Sequence, residues 1–274
     1  MNCERLVNLD SHPIELHRGA QYHALVDRCK EDLGARGAYV LERFLIPEAV
    51  ADIRGELAHV LDRAYYAPKC HNAYLAPDDP DLEELHPRNR KHVTTSATLA
   101  YDFIGRDSLL DRIYRWPPLR AFIAATLGYD ALYPYEDALA AVNVLTYPPG
   151  TQTGWHFDNA HFTVTLMIRQ ADRGGAYEYV PFVRSVDDEN YPGVESVLEG
   201  RCGDVRTLAQ SPGDLVVFQG RYTLHRVTEV AGNASRLVAV LSYDVEPGTT
   251  LTPHTRKMFY GRYHADEPFP EAAG

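Results

Sequence analysis

The sequence is poor in cysteine: four cysteines occur in 274 residues, and no two of them form a CxxC pair. Such a set gives neither a disulfide framework nor a zinc knuckle, and it is typical of proteins of the reducing cytoplasm. Long apolar runs are also missing, since no stretch approaches the ~20 residues needed to cross a bilayer. The amino-terminal segment MNCERLVNLDSH carries charges where a signal peptide would be apolar. We therefore expect a cytoplasmic protein without a membrane span.

Positive charge is scarce as well. The chain has 27 Lys and Arg residues against 38 Asp and Glu residues, which gives a formal net charge of −11. A nucleic-acid surface needs clustered Lys and Arg, so this class of partner is not expected. Hydrophobic residues make up 45% of the chain, enough for a sizeable core. Because no second core or long linker is visible, we predict a single domain over residues 1–274 and leave the oligomeric state open, a homodimer included.

The first half of the chain, residues 1–135, has the patterns of helices that support a core and form a lid. Apolar residues recur at steps of three and four in PEAVADIRGELAHVLDRAYY, with Pro47 in the first turn. A second helix is predicted in SLLDRIYRW, and a third in PLRAFIAATLG, which ends on Gly128 as a cap.

Residues 136–263 have a different pattern, typical of short strands. Runs rich in β-branched and aromatic residues are separated by turn segments such as PPGTQTG, DRGG, SPGD and AGNAS. The predicted strands are ALAAVNVLTY, HFTVTLMI, AYEYVPFV, DLVVFQ and RLVAVLSYD. Helices followed by many short antiparallel strands predict an α+β protein, in which a β-sandwich or barrel is buttressed by amino-terminal helices.

Three polar residues on these predicted strands are of the residue types that bind metal ions. His156 and Asp158 stand two apart, so their side chains point to the same face of a strand. His225 follows 69 residues after His156, a separation long enough for several strands to bring the two histidines together. Two histidines and one carboxylate on one face form the facial arrangement of non-haem Fe(II) oxygenases. A surface pair on a wet strand is the alternative for His156 and Asp158 taken alone.

Arg236 comes 11 residues after His225, across a predicted hairpin turn. It shares one strand face with Val238, Val240 and Ser242. An arginine that faces the inside of a barrel is costly unless it meets an anion, and a carboxylate would pair with it in bidentate fashion. A structural salt bridge within the sheet is the alternative interpretation.

The set HFD … H … R, in this order and on these strands, resembles the Fe(II)/2-oxoglutarate-dependent dioxygenases. Residues 138–263 are similar more narrowly to the branch of free-amino-acid halogenases and hydroxylases, lysine-type enzymes among them. The resemblance implies a double-stranded β-helix (a jelly-roll or cupin-like barrel), with His156, Asp158 and His225 as iron ligands and Fe(II), 2-oxoglutarate and O2 as cofactors. It implies that Arg236 binds the distal carboxylate of 2-oxoglutarate, with Asn143 or Tyr147 as the second contact.

Asp158 departs from the halogenases that the chain resembles. Those enzymes have a small residue at this position, which leaves room for chloride on the iron. The resemblance therefore implies hydroxylation of an unactivated C–H bond, with decarboxylation of 2-oxoglutarate to succinate, and desaturation or cyclisation as alternatives. Two further classes stay open, a cupin-like zinc hydrolase or isomerase and a non-catalytic β-helix binding domain.

The expected substrate is a small molecule, a free amino acid or a derivative of one. Asn159 follows the aspartate at the edge where substrate would enter, and Trp155 is placed either in the pocket wall or outside it. An amino acid needs partners for its carboxylate and its amine, for which Arg90 and Glu136 are candidates. The sequence does not identify the substrate itself.

Overall fold

The computed structural model describes residues 3–15 and 19–268 of the chain. Two short 3-10 turns, Cys3–Arg5 and Leu61–Arg63, accompany the α-helices. None of the described helices is both long and apolar enough to span a bilayer. The α-helices are α1 (Ala20–Arg36), α2 (Pro47–Ala58), α3 (Tyr101–Ile104), α4 (Leu109–Arg115), α5 (Pro117–Leu127), α6 (Tyr191–Leu198) and α7 (Pro253–Tyr260).

The strands form one large and one small antiparallel sheet, together with three two-stranded ribbons. The large sheet has the order β1-β13-β9-β16-β7-β5-β2, and the small sheet has the order β12-β11-β14-β8. The strands are β1 (Ala38–Leu41), β2 (Tyr65–Tyr66), β3 (Lys69–Asn72), β4 (Lys91–Thr94), β5 (Ala97–Leu99), β6 (Tyr133–Pro134), β7 (Val142–Tyr147), β8 (Thr153–His156), β9 (Thr163–Arg169), β10 (Arg173–Gly174), β11 (Tyr177–Val180), β12 (Arg206–Leu208), β13 (Leu215–Phe218), β14 (Leu224–Val227), β15 (Val230–Ala231), β16 (Arg236–Leu241) and β17 (Tyr243–Asp244).

The two faces of the large sheet have different partners. On β16, Leu237, Ala239 and Leu241 belong to the main hydrophobic cluster, which also contains buried residues of α1, α2, α4 and α5. The alternate residues of the same strand point to the other face, because successive side chains of a strand alternate. There, Phe218 of the large sheet shares a hydrophobic cluster with Tyr177 of the small sheet. The helices thus cover one face of the large sheet, and the small sheet packs on the other.

The predicted α+β class is confirmed, and the five predicted strands are present. Two predicted helices are also confirmed: α4 begins after Ser108, whose hydroxyl accepts a hydrogen bond from the Asp111 amide at 3.1 Å, and α5 ends on Gly128 with φ 78°. The long helix predicted from Pro47 is shorter than expected. It ends at Ala58, and the chain then forms a 3-10 turn, so the later apolar residues of the pattern lie outside the helix.

Residues 1–135 contain mainly helices, but they also contain short strands that were not predicted. This half supplies β1, β2 and β5 to the large sheet, and β3 and β4 form a separate hairpin. These strands have two to four residues each, too few for a clear alternation in the sequence. Helices α1 and α3 in the first half, and helices α6 and α7 in the second half, were not predicted from the sequence. The main hydrophobic cluster draws on both halves, which supports our proposal of a single domain.

Candidate active site

His156, Asp158 and His225 lie together between the two sheets. His156 ends β8 and pairs directly with His225 of the neighbouring strand β14. One ligand atom of each of the three residues lies within 4.8 Å of the others. Oδ1 of Asp158 is 3.6 Å from Nε2 of His156 and 3.6 Å from Nε2 of His225. The pairing of two strands 69 residues apart therefore assembles the three residues that the sequence singles out.

Both histidines are oriented by the same local contact. Nδ1 of His156 is 2.9 Å from the carbonyl oxygen of Gly154, and Nδ1 of His225 is 2.9 Å from the carbonyl oxygen of Thr223. A carbonyl can only accept, so Nδ1 carries the proton and donates it. The lone pair of each ring is then on Nε2, which faces Asp158. This is the usual arrangement of metal-binding histidines, whose second nitrogen donates to a backbone or carboxylate oxygen.

The protonation states of the cluster also suit a metal. Burial, together with the neighbouring His225, lowers the pKa of His156 to about 3, so its ring is neutral at physiological pH. Burial by itself would raise the pKa of Asp158, but the adjacent histidines and the Thr163 hydroxyl lower it below its usual value. A neutral imidazole and an ionised carboxylate are the forms that bind cations. Two nitrogen donors and one oxygen donor on one side of an open space fit non-haem Fe(II).

The carboxylate of Asp158 is held by two residues that the sequence analysis did not identify. Thr163 donates its hydroxyl hydrogen to Oδ2 over 2.7 Å. Gly220 accepts the Asp158 amide at its carbonyl oxygen, 3.0 Å away. A Cβ atom on residue 220 would lie only 2.6 Å from Cγ of Asp158. The carboxylate therefore needs a glycine at this position.

Arg236 is buried, with 4% of its surface exposed. Its Nη2 donates to Oε1 of Gln210 at 2.8 Å, and its guanidinium lies 5.3 Å from the ring centroid of Tyr147, its partner across the strands. Among the described residues, no carboxylate lies within ion-pair distance of it. Burial lowers the pKa of Arg236, although two neighbouring tyrosines oppose the effect. A buried guanidinium without a counter-charge is costly, so this position calls for an external anion.

The three clustered residues and Arg236 line one cavity of about 310 Å³. This volume is within the ~300–1,000 Å³ range of small-molecule pockets. Val238, Val240 and Ser242 line it with Arg236, as their shared strand face predicts. Asn143, Tyr147 and Asn159 are among the lining residues too. The lining residues missed from the sequence include Gln210, Thr163, Tyr177, and Phe259 and Tyr260 of α7.

Three candidate substrate residues do not line the cavity. Trp155 lies on the opposite face of β8, with the guanidinium of Arg226 4.7 Å from its ring centroid, because adjacent strand residues point to opposite sides. Arg90 forms an ion pair with Glu199, 3.5 Å away. Glu136 donates its amide to the Thr249 carbonyl and is not part of the cavity wall. These placements do not support the substrate contacts predicted for the three residues.

Comparison with known proteins adds a family and a fold. The family model described as HalD, Halogenase D, matches residues 22–258. No curated protein matches the chain.

Several solved structures have a similar fold. The non-heme alpha ketoglutarate dependent epimerase SnoN from nogalamycin biosynthesis gives a TM-score of 0.56 at 15% identity, covering 81% of this chain and 83% of that one. AviO1 from Streptomyces viridochromogenes Tue57 gives 0.55 at 17% identity, covering 83% and 97%. An oxidoreductase of the 2OG-Fe(II) oxygenase family from Burkholderia pseudomallei gives 0.53 at 15% identity, covering 82% and 92%. At such identities the similarity shows the fold, and it confirms the predicted double-stranded β-helix.

Proposed function

Because the chain belongs to the Halogenase D family and has the fold of the 2OG-Fe(II) oxygenases, we propose that it is an Fe(II)/2-oxoglutarate-dependent oxygenase that hydroxylates an unactivated C–H bond of a small molecule. The proposed substrate is a free amino acid or a derivative of one. His156, Asp158 and His225 are the proposed iron ligands. When bound, the iron, 2-oxoglutarate and O2 together supply the oxidation of the C–H bond, with release of succinate and CO2.

Asp158 is the residue that favours hydroxylation over halogenation, although the family is described as a halogenase. The halogenases that the chain resembles have a small residue at this position, and chloride takes the vacant place on the metal. Here the carboxylate oxygen Oδ1 lies 3.6 Å from both histidine nitrogens, where a third protein ligand is needed. Thr163 and Gly220 fit around the same carboxylate. The site is thus adapted to a carboxylate and leaves no place for a halide at residue 158.

Arg236 is the proposed partner of the distal carboxylate of 2-oxoglutarate. It lies in the same cavity as the proposed iron ligands and lacks an acidic partner among the described residues. A charge-assisted pair with a carboxylate would neutralise it and fix the orientation of the co-substrate. Asn143 and Tyr147 line the cavity on the neighbouring strand β7 and are the proposed second contact. Gln210 orients the guanidinium through its 2.8 Å hydrogen bond.

Other outcomes of the same chemistry remain as alternatives. SnoN, which shares the fold, is described as an epimerase, so the fold serves more than one reaction. Desaturation or cyclisation would remove two hydrogen atoms from the substrate, whereas hydroxylation adds one oxygen atom. A zinc hydrolase or isomerase would use the same three ligands, but it gives no role to Arg236. A non-catalytic binding domain would need neither the ligand set nor Arg236.

The test is spectroscopic. We expect the purified protein, loaded with Fe(II) without oxygen, to develop a weak visible charge-transfer band when 2-oxoglutarate is added. His225→Ala should lose the band and the formation of succinate while it keeps the folded circular dichroism spectrum. Absence of the band in the wild type, despite bound iron, would refute the proposal. Mass spectrometry of products made in the presence of chloride then separates hydroxylation from halogenation and desaturation.

A further inference from the structure

The wall of the cavity has few ionised groups. Among the described residues that line it, only the three proposed iron ligands and Arg236 have side chains that are acidic or basic in the range from carboxylic acid to guanidinium, apart from the tyrosines. All four already have roles in binding iron or 2-oxoglutarate. The remaining lining side chains are apolar, aromatic, hydroxyl or amide groups. Aromatic and aliphatic residues from α7 and from loops close part of the wall, namely Leu75, Phe162, Leu251, Phe259 and Tyr260.

Asp137, a carboxylate close to this wall, is fully engaged. Its Oδ1 accepts hydrogen bonds from the amides of Leu139 and Ala140, at 2.9 and 3.1 Å. Its Oδ2 accepts from the Leu251 amide at 2.8 Å and from Nε of Arg256 at 2.9 Å. An ammonium group in the cavity would therefore find no free carboxylate besides Asp158 among the described lining residues. Leaving such a charge unpaired is costly.

Lys69 lies beside the cavity. It belongs to β3 and pairs across the hairpin with Thr94, which lines the cavity. Cys70, the next residue, is exposed, while Lys69 and His71 are partly buried. The ring of His71 is 6.1 Å from that of His156. The inward face of β3 thus runs along the edge of the metal site.

The ammonium group of Lys69 approaches the cavity from the side of α7. Its Nζ is 4.7 Å from the ring centroid of Phe259, which also lines the cavity. Burial lowers the pKa of Lys69 to about 8, and no acidic group opposes this effect. The side chain is therefore still mainly protonated at neutral pH. It is a partly buried cation next to two lining residues, Thr94 and Phe259.

Other cations around the site have acidic partners. Arg256 pairs with Asp137 at 2.9 Å, Arg226 pairs with Glu178 at 2.7 Å, and Lys91 pairs with Asp78. Among the described residues, no carboxylate lies within ion-pair distance of Lys69. The same is true of Arg236. Arg236 is explained by 2-oxoglutarate. The Phe259 ring under Lys69 supplies no counter-charge, so Lys69 is free to take a second anion, and the substrate is the remaining organic ligand of the cavity.

We propose that the substrate is a carboxylic acid that places an uncharged chain next to the iron ligands and its carboxylate against Lys69. This inference rests on the proposed function and narrows its substrate. An amino acid would enter with an uncharged side chain first, so that its α-ammonium would stay at the edge of the cavity, next to its own carboxylate. Amino acids of the lysine type are excluded, because their terminal ammonium would meet a wall of apolar, hydroxyl and amide groups without a free acid.

Matched ligands test the two charges separately. L-Norleucine and L-lysine differ by the terminal ammonium, and norleucinamide differs from norleucine by the loss of the carboxylate. Each is titrated without oxygen into the Fe(II)- and 2-oxoglutarate-loaded protein, and the change of the visible band gives the affinity. We expect norleucine to bind roughly ten-fold or more tightly than either analogue, the effect of one unpaired charge. Equal or tighter binding of lysine, or equal binding of the amide, would overturn the proposal.

Variants of Lys69 supply a measurement that needs no substrate. Lys69→Met removes a partly buried, unpaired charge, so we expect its thermal midpoint without ligands to rise. Lys91→Met on the same hairpin, whose ammonium is paired with Asp78, should not show a rise. A fall of the midpoint in Lys69→Met, of the kind that follows loss of a structural contact, would contradict the assignment.

The same variant separates this inference from the proposed function. Lys69→Met should keep the 2-oxoglutarate band and the affinity for 2-oxoglutarate, yet lose the preference for norleucine over norleucinamide. Lys69→Arg should retain part of that preference. If Lys69→Met keeps the full preference for norleucine over norleucinamide, the proposed role of Lys69 is refuted. The proposed iron chemistry is not affected by that result. A wild type without the band refutes the proposed function itself.

Discussion

Thr163 donates its hydroxyl hydrogen to Oδ2 of Asp158 over 2.7 Å, and Oδ1 of the same carboxylate lies 3.6 Å from Nε2 of both histidines. One oxygen of Asp158 is thus occupied by the protein, and the other is directed to the proposed iron position. Thr163 begins β9, five residues after Asp158. The hydroxyl therefore leaves a single oxygen of Asp158 free to act as the proposed iron ligand.

The first prediction concerns this hydroxyl. Thr163→Val should weaken the binding of Fe(II), or of Co(II) as a substitute, by about ten-fold or more, because partners of metal ligands contribute at this scale. Thr163→Ser keeps the hydroxyl and should restore the affinity. Thr165→Val, on the same strand face, is the control and should bind metal as the wild type does. Calorimetric titration of the metal measures all three, and unchanged affinity in Thr163→Val would contradict the role.

The second prediction concerns the glycine behind the carboxylate. Gly220→Ala places a methyl group 2.6 Å from Cγ of Asp158, so the aspartate must move and metal affinity should fall. The change should also lower the thermal midpoint. In an Asp158→Gly background the clash is absent, and Gly220→Ala should then cost little stability. A double-mutant cycle followed by thermal unfolding measures this coupling, and additive effects would show that the two residues do not interact.

The third prediction concerns the buried guanidinium. Arg236→Leu should weaken 2-oxoglutarate binding by about 2–5 kcal/mol, as for other truncated charge pairs. The wild type should gain thermal stability from 2-oxoglutarate, since a ligand of the folded state stabilises it, and the variant should not. Arg226→Leu removes an arginine that pairs with Glu178 outside the cavity. This control should bind 2-oxoglutarate normally, and equal loss in both variants would argue against a specific role of Arg236.

The fourth prediction concerns pH. Burial, with the neighbouring His71 and two arginines, lowers the pKa of His92 from 6.5 to about 4. Below pH 6.5 the unfolded chain takes up a proton at this residue that the folded chain does not bind. The free energy of unfolding should therefore decrease as pH falls from 6.5 towards 4.

His92→Asn should make this decrease shallower. The experiment is denaturant unfolding with a chelator present, so that release of metal does not contribute. Above pH 7 the difference between variant and wild type should be constant, which provides an internal control. An identical slope in both proteins between pH 6.5 and 4 would show that His92 does not carry the effect.

Local patterns in the sequence predicted much of the core of this fold. The strand of β16 alternates between Leu237, Ala239 and Leu241, packed under the helices, and Arg236, Val238 and Val240, which line the cavity. This alternation follows from the period of a strand, so it is visible without knowledge of the partner strands. Asp158 is a different case, because β8 ends at His156 and Asp158 lies two residues beyond the strand.

The environment of each site residue was decided by the tertiary structure. Gln210 reaches Arg236 from a loop 26 residues away, and Lys69 meets Phe259 although 190 residues separate them in the chain. No local pattern encodes these contacts, because they depend on strand register and on how a hairpin and a helix pack at the cavity. The placement of Trp155 outside the cavity was settled in the same way.

By itself, the sequence determined the order and period of the strands, and it singled out His156, His225 and Arg236 on them and Asp158 just beyond β8, since those depend on backbone geometry over a few residues. Only the tertiary structure decided that His225 pairs with His156, that Thr163 and Gly220 enclose Asp158, and that Lys69 and Arg236 have no acidic partner among the described residues. Those relations arise from packing between distant segments, where distance and burial, and not residue type, set the chemistry.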